Sequence, residues 1–143
     1  MNCSSYMTDD ALSELLSLRG EVNWLGTRTY FNSNGLKHRI HGPAIISCDG
    51  SLHWYCNGLQ HRCDDGPAYI SGNRIIWYLH GVTHRECGPA LIRSDGTCEY
   101  RKNGQIVRYD SVDEHVMREF KQHLEYREYI LNRISYESPV QHF

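Results

Sequence analysis

One spacing constrains this chain more than any other property. A turn-forming pair returns every 23 residues, as Asn34-Gly35, Asn57-Gly58, His80-Gly81 and Asn103-Gly104. An aromatic stands three positions ahead of each pair, at Phe31, Trp54, Trp77 and Tyr100. His-Arg follows three positions after the glycine, at His38-Arg39, His61-Arg62 and His84-Arg85, while the fourth copy keeps only Arg108. Gly-Pro-Ala then occupies 42–44, 66–68 and 88–90, the middle copy displaced by one inserted residue. Asp49-Gly50 and Asp95-Gly96 close the unit, with Ser71-Gly72 standing between them. Such a period means stacked copies of one supersecondary unit.

The unit reads as hairpins. Asn-Gly beside aromatics is a strong hairpin signal, because a type I′ turn needs positive φ at both central residues. Asp-Gly predicts a second turn of the same kind. Between the turns lie Ala44-Ile45-Ile46, Trp54-Tyr55, Ile75 to Tyr78 and Leu91-Ile92, whose residue types favour pleated structure. Gly-Pro marks a break or strand start, where a missing N–H does least harm. About three and a half units predict an antiparallel β-meander of roughly seven or eight strands. Trp54-Tyr55 and Trp77-Tyr78 should place one aromatic on each face of it.

Helices flank the repeats. Met7-Thr8-Asp9-Asp10 opens a short one to about Leu18, with Thr8 as N-cap and Met7 stapled onto Leu12. Ser111-Val112-Asp113-Glu114 reads as a capping box for a longer helix to about Ile134. Val112, Val116, Phe120, Leu124 and Leu131 form an apolar stripe at helical period. A helix of about 33 Å would lie across one sheet face and supply the core a lone meander lacks. The expected fold is mainly β with flanking α in one domain: 1–25 helix and lead-in, 26–109 repeats, 110–135 C-terminal helix, 136–143 tail.

The 23-residue period and the aromatic-x-x-Asn-Gly pattern resemble MORN repeats and their bacterial and phage variants. The nearest pattern is that of short bacterial and phage proteins with units Trp-Tyr-x-Asn-Gly-x-x-His-Arg-x-x-Gly-Pro-Ala. Trp54-Tyr55 through Ala68 and Trp77-Tyr78 through Ala90 carry it here. The chain departs from the usual MORN pattern, which has a small glycine cluster in place of His-Arg and Gly-Pro-Ala. The resemblance implies a scaffold that binds proteins or lipids and implies no reaction. Its phage members make a host-takeover or anti-defence role an expectation by analogy.

Composition narrows the partner. No run of 18 apolar residues offers a membrane span, and Met1 to Asp10 lacks the basic start and apolar run of a signal peptide. A cytoplasmic location is expected, and with it six free cysteine thiols. Residues 26–109 carry ten Lys/Arg against six Asp/Glu, while the flanks carry five against eleven. A pI near 6.5 argues against nucleic acid.

The His-Arg pairs invite a metal reading, yet equivalent positions in successive two-strand units lie about 9–10 Å apart. Zinc needs each nitrogen within about 2.1 Å, so no metal or other cofactor is expected. Residues repeated in every unit usually serve the repeat, whereas catalysis needs one asymmetric constellation, so no enzyme is expected. A Cys–His nucleophile at Cys63 or Cys87 has no supporting motif. A binding protein that inhibits or recruits a cellular or host protein is the favoured reading. Its expected anchors are Trp54, Tyr55, Trp77 and Tyr78 with Arg62 and Arg85, residue types that dominate interfaces. A sponge for a nucleotide or other small anion is the alternative, and a structural homo-oligomer the third.

Overall fold

The computed structural model describes residues 9–134 and 141–142. Helix α1 (Asp9–Ser17) leads into β1 (Arg19–Val22) and β2 (Arg28–Phe31). Then come β3 (Ile45–Ile46), β4 (Leu52–His53), β5 (Tyr55–Cys56), β6 (Leu59–Gln60), β7 (Tyr69–Ile70) and β8 (Arg74–Ile76). After β9 (Tyr78–Leu79) and β10 (Val82–Thr83) follow β11 (Leu91–Arg93), β12 (Thr97–Lys102) and β13 (Gln105–Ser111). Helix α2 (Glu114–Arg133) and β14 (Gln141–His142) complete the chain.

The expected mainly β architecture with a short N-terminal and a long C-terminal helix is what the chain adopts. The strands do not form one plain meander, however. The main sheet runs β13-β12-β11-β8-β7-β4-β3-β2-β1, antiparallel throughout, with β14 added parallel to β1. The pairs β5–β6 and β9–β10 stand outside it as separate hairpins. Chain direction changes at the aromatics: Trp54 lies between β4 and β5, and Trp77 between β8 and β9. There the Trp54 and Trp77 N–H groups donate to the carbonyls of Ala68 and Ala90, both at 2.8 Å. The two middle units therefore each contribute one hairpin to the sheet and one to a second row beside it, whereas the Asn103-Gly104 hairpin is β12–β13 of the main sheet itself.

The two turn types differ as their chemistry requires. Asn57-Gly58, His80-Gly81 and Asn103-Gly104 have positive φ at both residues, as a type I′ turn demands. In Asp49-Gly50 and Asp95-Gly96 only the glycine has positive φ, so these are not turns of the same kind. There the aspartate side chain accepts from the backbone N–H two residues on, Ser51 and Thr97, and stabilises an Asx turn instead. The first unit also departs from expectation. It carries one extra residue in its turn, where Asn32 Oδ1 accepts from the N–H of Asn34 and Leu36. Tyr30, not Phe31, is consequently the structural counterpart of Trp54: His38 N–H bonds the Tyr30 carbonyl as His61 bonds that of Trp54.

The core is one layer between the sheet and α2. Leu52, Ile70, Ile75 and Ile92 are fully buried, and Phe120 of α2 enters among them. Val112, Val116, Met117, Leu124, Ile130 and Leu131 pack against that cluster, so the apolar stripe covers the sheet. The helix is capped by Asp113, which accepts from Val116 N–H at 2.9 Å, and not by Ser111. Ser111 is still the end of β13, opposite Thr97. The expected Thr8 cap and Met7 staple lie outside the described residues. At the other end, Glu14 of α1 receives the N–H groups of Ile40 at 2.7 Å and His41 at 2.9 Å, fixing that helix to the first unit. Among the described residues no helix is long and apolar enough to cross a membrane. Cys48, Cys56, Cys63, Cys87 and Cys98 are free thiols.

Candidate functional site

The repeated residues build two internal devices before they leave anything to a partner. The first is a sandwich of aromatic ring, guanidinium and glycine. Arg39 lies 4.8 Å over Tyr30, Arg62 4.2 Å over Trp54, and Arg85 3.8 Å over Trp77. On its other side each guanidinium meets the glycine of Gly-Pro-Ala. A Cβ at Gly42 would stand 2.6 Å from Arg39 Cζ, and one at Gly66 2.7 Å from Arg62 Cζ. The same three arginines donate to the carbonyls of Pro43, Pro67 and Pro89. Arg108, all that remains of His-Arg in the fourth unit, still lies 4.0 Å over Tyr100. Such stacking is worth most where the cation has shed water. The residue inserted in the middle unit is absorbed at Asp65, whose φ of 66° is left-handed and whose carbonyl receives the Trp77 indole N–H.

The second device is a histidine ladder. Nδ1 of His38, His61 and His84 accepts the turn N–H of the next unit, from Asn57, His80 and Asn103, at 2.9 to 3.1 Å. Each histidine thus holds its neighbour's turn 19 residues ahead. Parallel to it, the N–H groups of Gly58, Gly81 and Gly104 donate to the carbonyls of Lys37, Gln60 and Thr83. The hairpin row is pinned unit to unit by both sets.

The expected anchors therefore separate into three kinds. Trp54 and Trp77 are 2% and 5% exposed, beneath α2, where Tyr126 stacks on Trp54 and His123 meets Trp77 edge-on. They have no surface to offer. Arg62 and Arg85 are spoken for: Arg62 Nε lies 2.6 Å from Asp64, and Arg85 makes a bidentate pair with Glu119. Tyr55 and Tyr78 are half-buried, and burial, then the neighbouring Tyr78, raises the Tyr55 hydroxyl above its ordinary value. What the repeat pattern did not single out is the residue after each turn glycine. Leu36, Leu59 and Val82 are 43%, 51% and 42% exposed, at the same 23-residue spacing. Leu36 lies over Gly58, Leu59 over Gly81 and Val82 over Gly104, and Leu79, opposite Val82, is likewise exposed. They form a continuous apolar ridge along the hairpin row. The signal was present in the sequence as an apolar residue after each of the first three turn glycines; each packs partly on the next unit's turn glycine and leaves the rest of its surface exposed.

Burial sets the titration of several histidines. Desolvation pushes His53 and His123 below the ordinary value of 6.5, against the opposing pull of Asp49 and Glu119 respectively. His61 is also lowered, by desolvation and then by His80, whose ring stacks on it at 4.2 Å. Burial alone would raise Glu99, but hydrogen bonds from Arg93 and Arg101 outweigh it and hold the carboxyl below its usual 4.5. Burial and the neighbouring Cys56 push the Cys63 thiol up, the reverse of an activated thiolate.

These shifts fix a pH dependence. With depressed native histidines, the unfolded chain takes up protons first as pH falls through 6.5. Stability is therefore full above that value and declines below it. Glu99 adds a second loss as pH falls through its lowered native value. The melting temperature should fall between about pH 7 and about pH 5 and again below about pH 4. His123→Phe should flatten the upper limb. A melting temperature constant from neutrality to about pH 5 would contradict this assignment.

Comparison of the chain with protein-family models, with curated proteins and with solved structures finds no match.

Proposed function

We propose that this protein is a recognition module of the MORN-like kind whose hairpin row docks onto a protein partner. The observation that carries the reading is the apolar ridge of Leu36, Leu59, Leu79 and Val82, each 42–51% exposed on a framework pinned by the histidine ladder. A rigid apolar strip loses little conformational entropy when a partner covers it, and aromatic neighbours add contact area. Tyr55 and Tyr78, one per unit, are the members of the expected anchor set that remain available to it. Covering the ridge would inhibit the partner or bring it to another site, the role that the phage-like resemblance suggests. The anion-sponge reading gains nothing from Arg62 and Arg85, whose cations already face Asp64 and Glu119.

Leu59→Asp with Val82→Asp sets charge at two ridge positions without touching the core. A partner retained by the parent protein should then bind on the order of tenfold more weakly or worse, as for a central interface position. Affinity capture with both forms, followed by titration of the retained protein, checks it. Equal affinity of both forms for every captured protein would sink the ridge as the docking surface.

A further inference from the structure

The two ends of the stacked units differ: the first is flanked by further elements, including the short β14 beside β1, and the last ends in a long strand. At the first unit, α1 docks through Glu14 and β1 extends the sheet. At the far end β13 is the last strand of the main sheet and is exposed at all seven positions. Val107 is 64% and Tyr109 66% exposed. The carbonyls that receive the next unit's turn glycine are those of Lys37, Gln60 and Thr83. The next in that 23-residue series is Ile106, and among the described residues no turn glycine donates to its carbonyl. The edge carries apolar side chains, is bulged at Val107 where its pairing with β12 shifts register, and runs regularly from Arg108 to Ser111. That regular stretch is a template for strand addition unless its charges forbid it.

Here the charges select a register. Val112 N–H donates to the Gly96 carbonyl across the β12–β13 pair. Backbone groups alternate along an antiparallel strand, so Asp110 also faces β12, and Tyr109 directs its N–H and C=O to the free edge. Two copies of β13 meeting antiparallel about a two-fold axis can thus exchange bonds Tyr109 to Tyr109. That register sets Arg108 of each copy opposite Asp110 of the other, in the close non-hydrogen-bonded positions. Moving the axis by one residue toward Arg108 places Arg108 against Arg108 instead. Only the Tyr109-centred pairing joins outward backbone groups and opposite charges together. Within one chain Arg108 and Asp110 are 3.7 Å apart and about half exposed. Arg108 also lies over Tyr100 and Asp110 accepts from Ser111 N–H, so each meets the new partner with the exposed part of its charged group.

We propose that β13 is the interface of a symmetric homodimer, a second copy of this chain continuing the main sheet across the Tyr109 two-fold. The isologous geometry is the commonest way for a chain to close its own open edge. The interface is separate from the hairpin ridge, and its test is independent of any partner.

Sedimentation velocity of the full chain over a concentration series reads the assembly. The parent protein should be dimeric by about 100 µM. Arg108→Asp alone sets carboxylate against carboxylate, and Asp110→Arg alone sets guanidinium against guanidinium. Each should weaken the dimer on the order of tenfold or more. The double exchange, Arg108→Asp with Asp110→Arg, restores opposite charges in the same register and should restore the dimer. Circular dichroism of each variant confirms that the sheet is retained, and the double exchange tests the register even where a single variant loses stability. A parent protein still monomeric at that concentration overturns the proposal. So does a dimer indifferent to both single exchanges, which would place the contact elsewhere.

Discussion

Trp54→Ala is expected to lower the unfolding free energy by about 3–5 kcal/mol, enough to leave much of the chain unfolded at physiological temperature. Trp54 is 2% exposed and joins three layers at one ring. Tyr126 of α2 stacks on it at 6.3 Å between centroids, and Arg62 lies 4.2 Å from it. Its backbone N–H also marks where β4 leaves the sheet for the β5–β6 hairpin. Removing the ring leaves a cavity and strips Arg62 of its stacking partner at the same stroke. Trp54→Phe, which keeps part of the volume and a π face, should recover a substantial share of the loss. Urea denaturation followed by circular dichroism measures both. A loss under about 1 kcal/mol for the alanine variant would mean that α2 is not held by this ring.

Gly42→Ala is expected to cost about 1–3 kcal/mol although it adds a single methyl group. The new Cβ would stand 2.6 Å from Arg39 Cζ and 2.8 Å from its Nε. Arg39 is 6% exposed, so the guanidinium has little free space into which to retreat. It must leave the Tyr30 ring, the Pro43 carbonyl, or both. Gly72→Ala is the control: its Cβ would meet nothing nearer than an Arg127 nitrogen at 3.9 Å, and its φ lies outside the left-handed region. That variant should be within about 0.5 kcal/mol of the parent. A double-mutant cycle with Arg39→Met separates the cause, because the penalty at Gly42 should largely vanish once the guanidinium is gone. An unchanged penalty in that background would locate the strain in the backbone rather than in the sandwich.

The repeat itself was legible because each of its parts serves a local need. Asn57-Gly58 is a type I′ turn whatever surrounds it, since few residues other than Gly and Asn accept its positive φ. The α2 stripe was legible because helical period and an apolar face are properties of consecutive residues. Which of the repeated aromatics stay exposed was less so. Trp54 and Tyr55 are adjacent in sequence and identical in the kind of contact they can make. Which of the two faces α2 is decided by the helix that covers one side of the sheet, and that is a long-range event.

Three features belonged to the tertiary structure alone. The Gly-Pro-Ala glycines read as break residues, yet Gly42 and Gly66 are small because an arginine from three or four positions earlier folds back against them. The histidines read as candidate ligands, yet each spends Nδ1 on a turn 19 residues ahead, a bond that exists only once units have stacked. The separation of β5–β6 and β9–β10 from the main sheet depends on the bend at Trp54 and Trp77, fixed by hydrogen bonds to alanines in the following strand segment. By itself the sequence determined the period, the type I′ turns from Asn57-Gly58 onward, the helices and the fold class, because those rest on φ preferences and on short-range apolar patterning. Tertiary structure decided which copies of the pattern are buried, which cations are already paired and which edge is left open. Those depend on what each unit finds beside it, and among the described residues no strand pairs with the outer edge of β13.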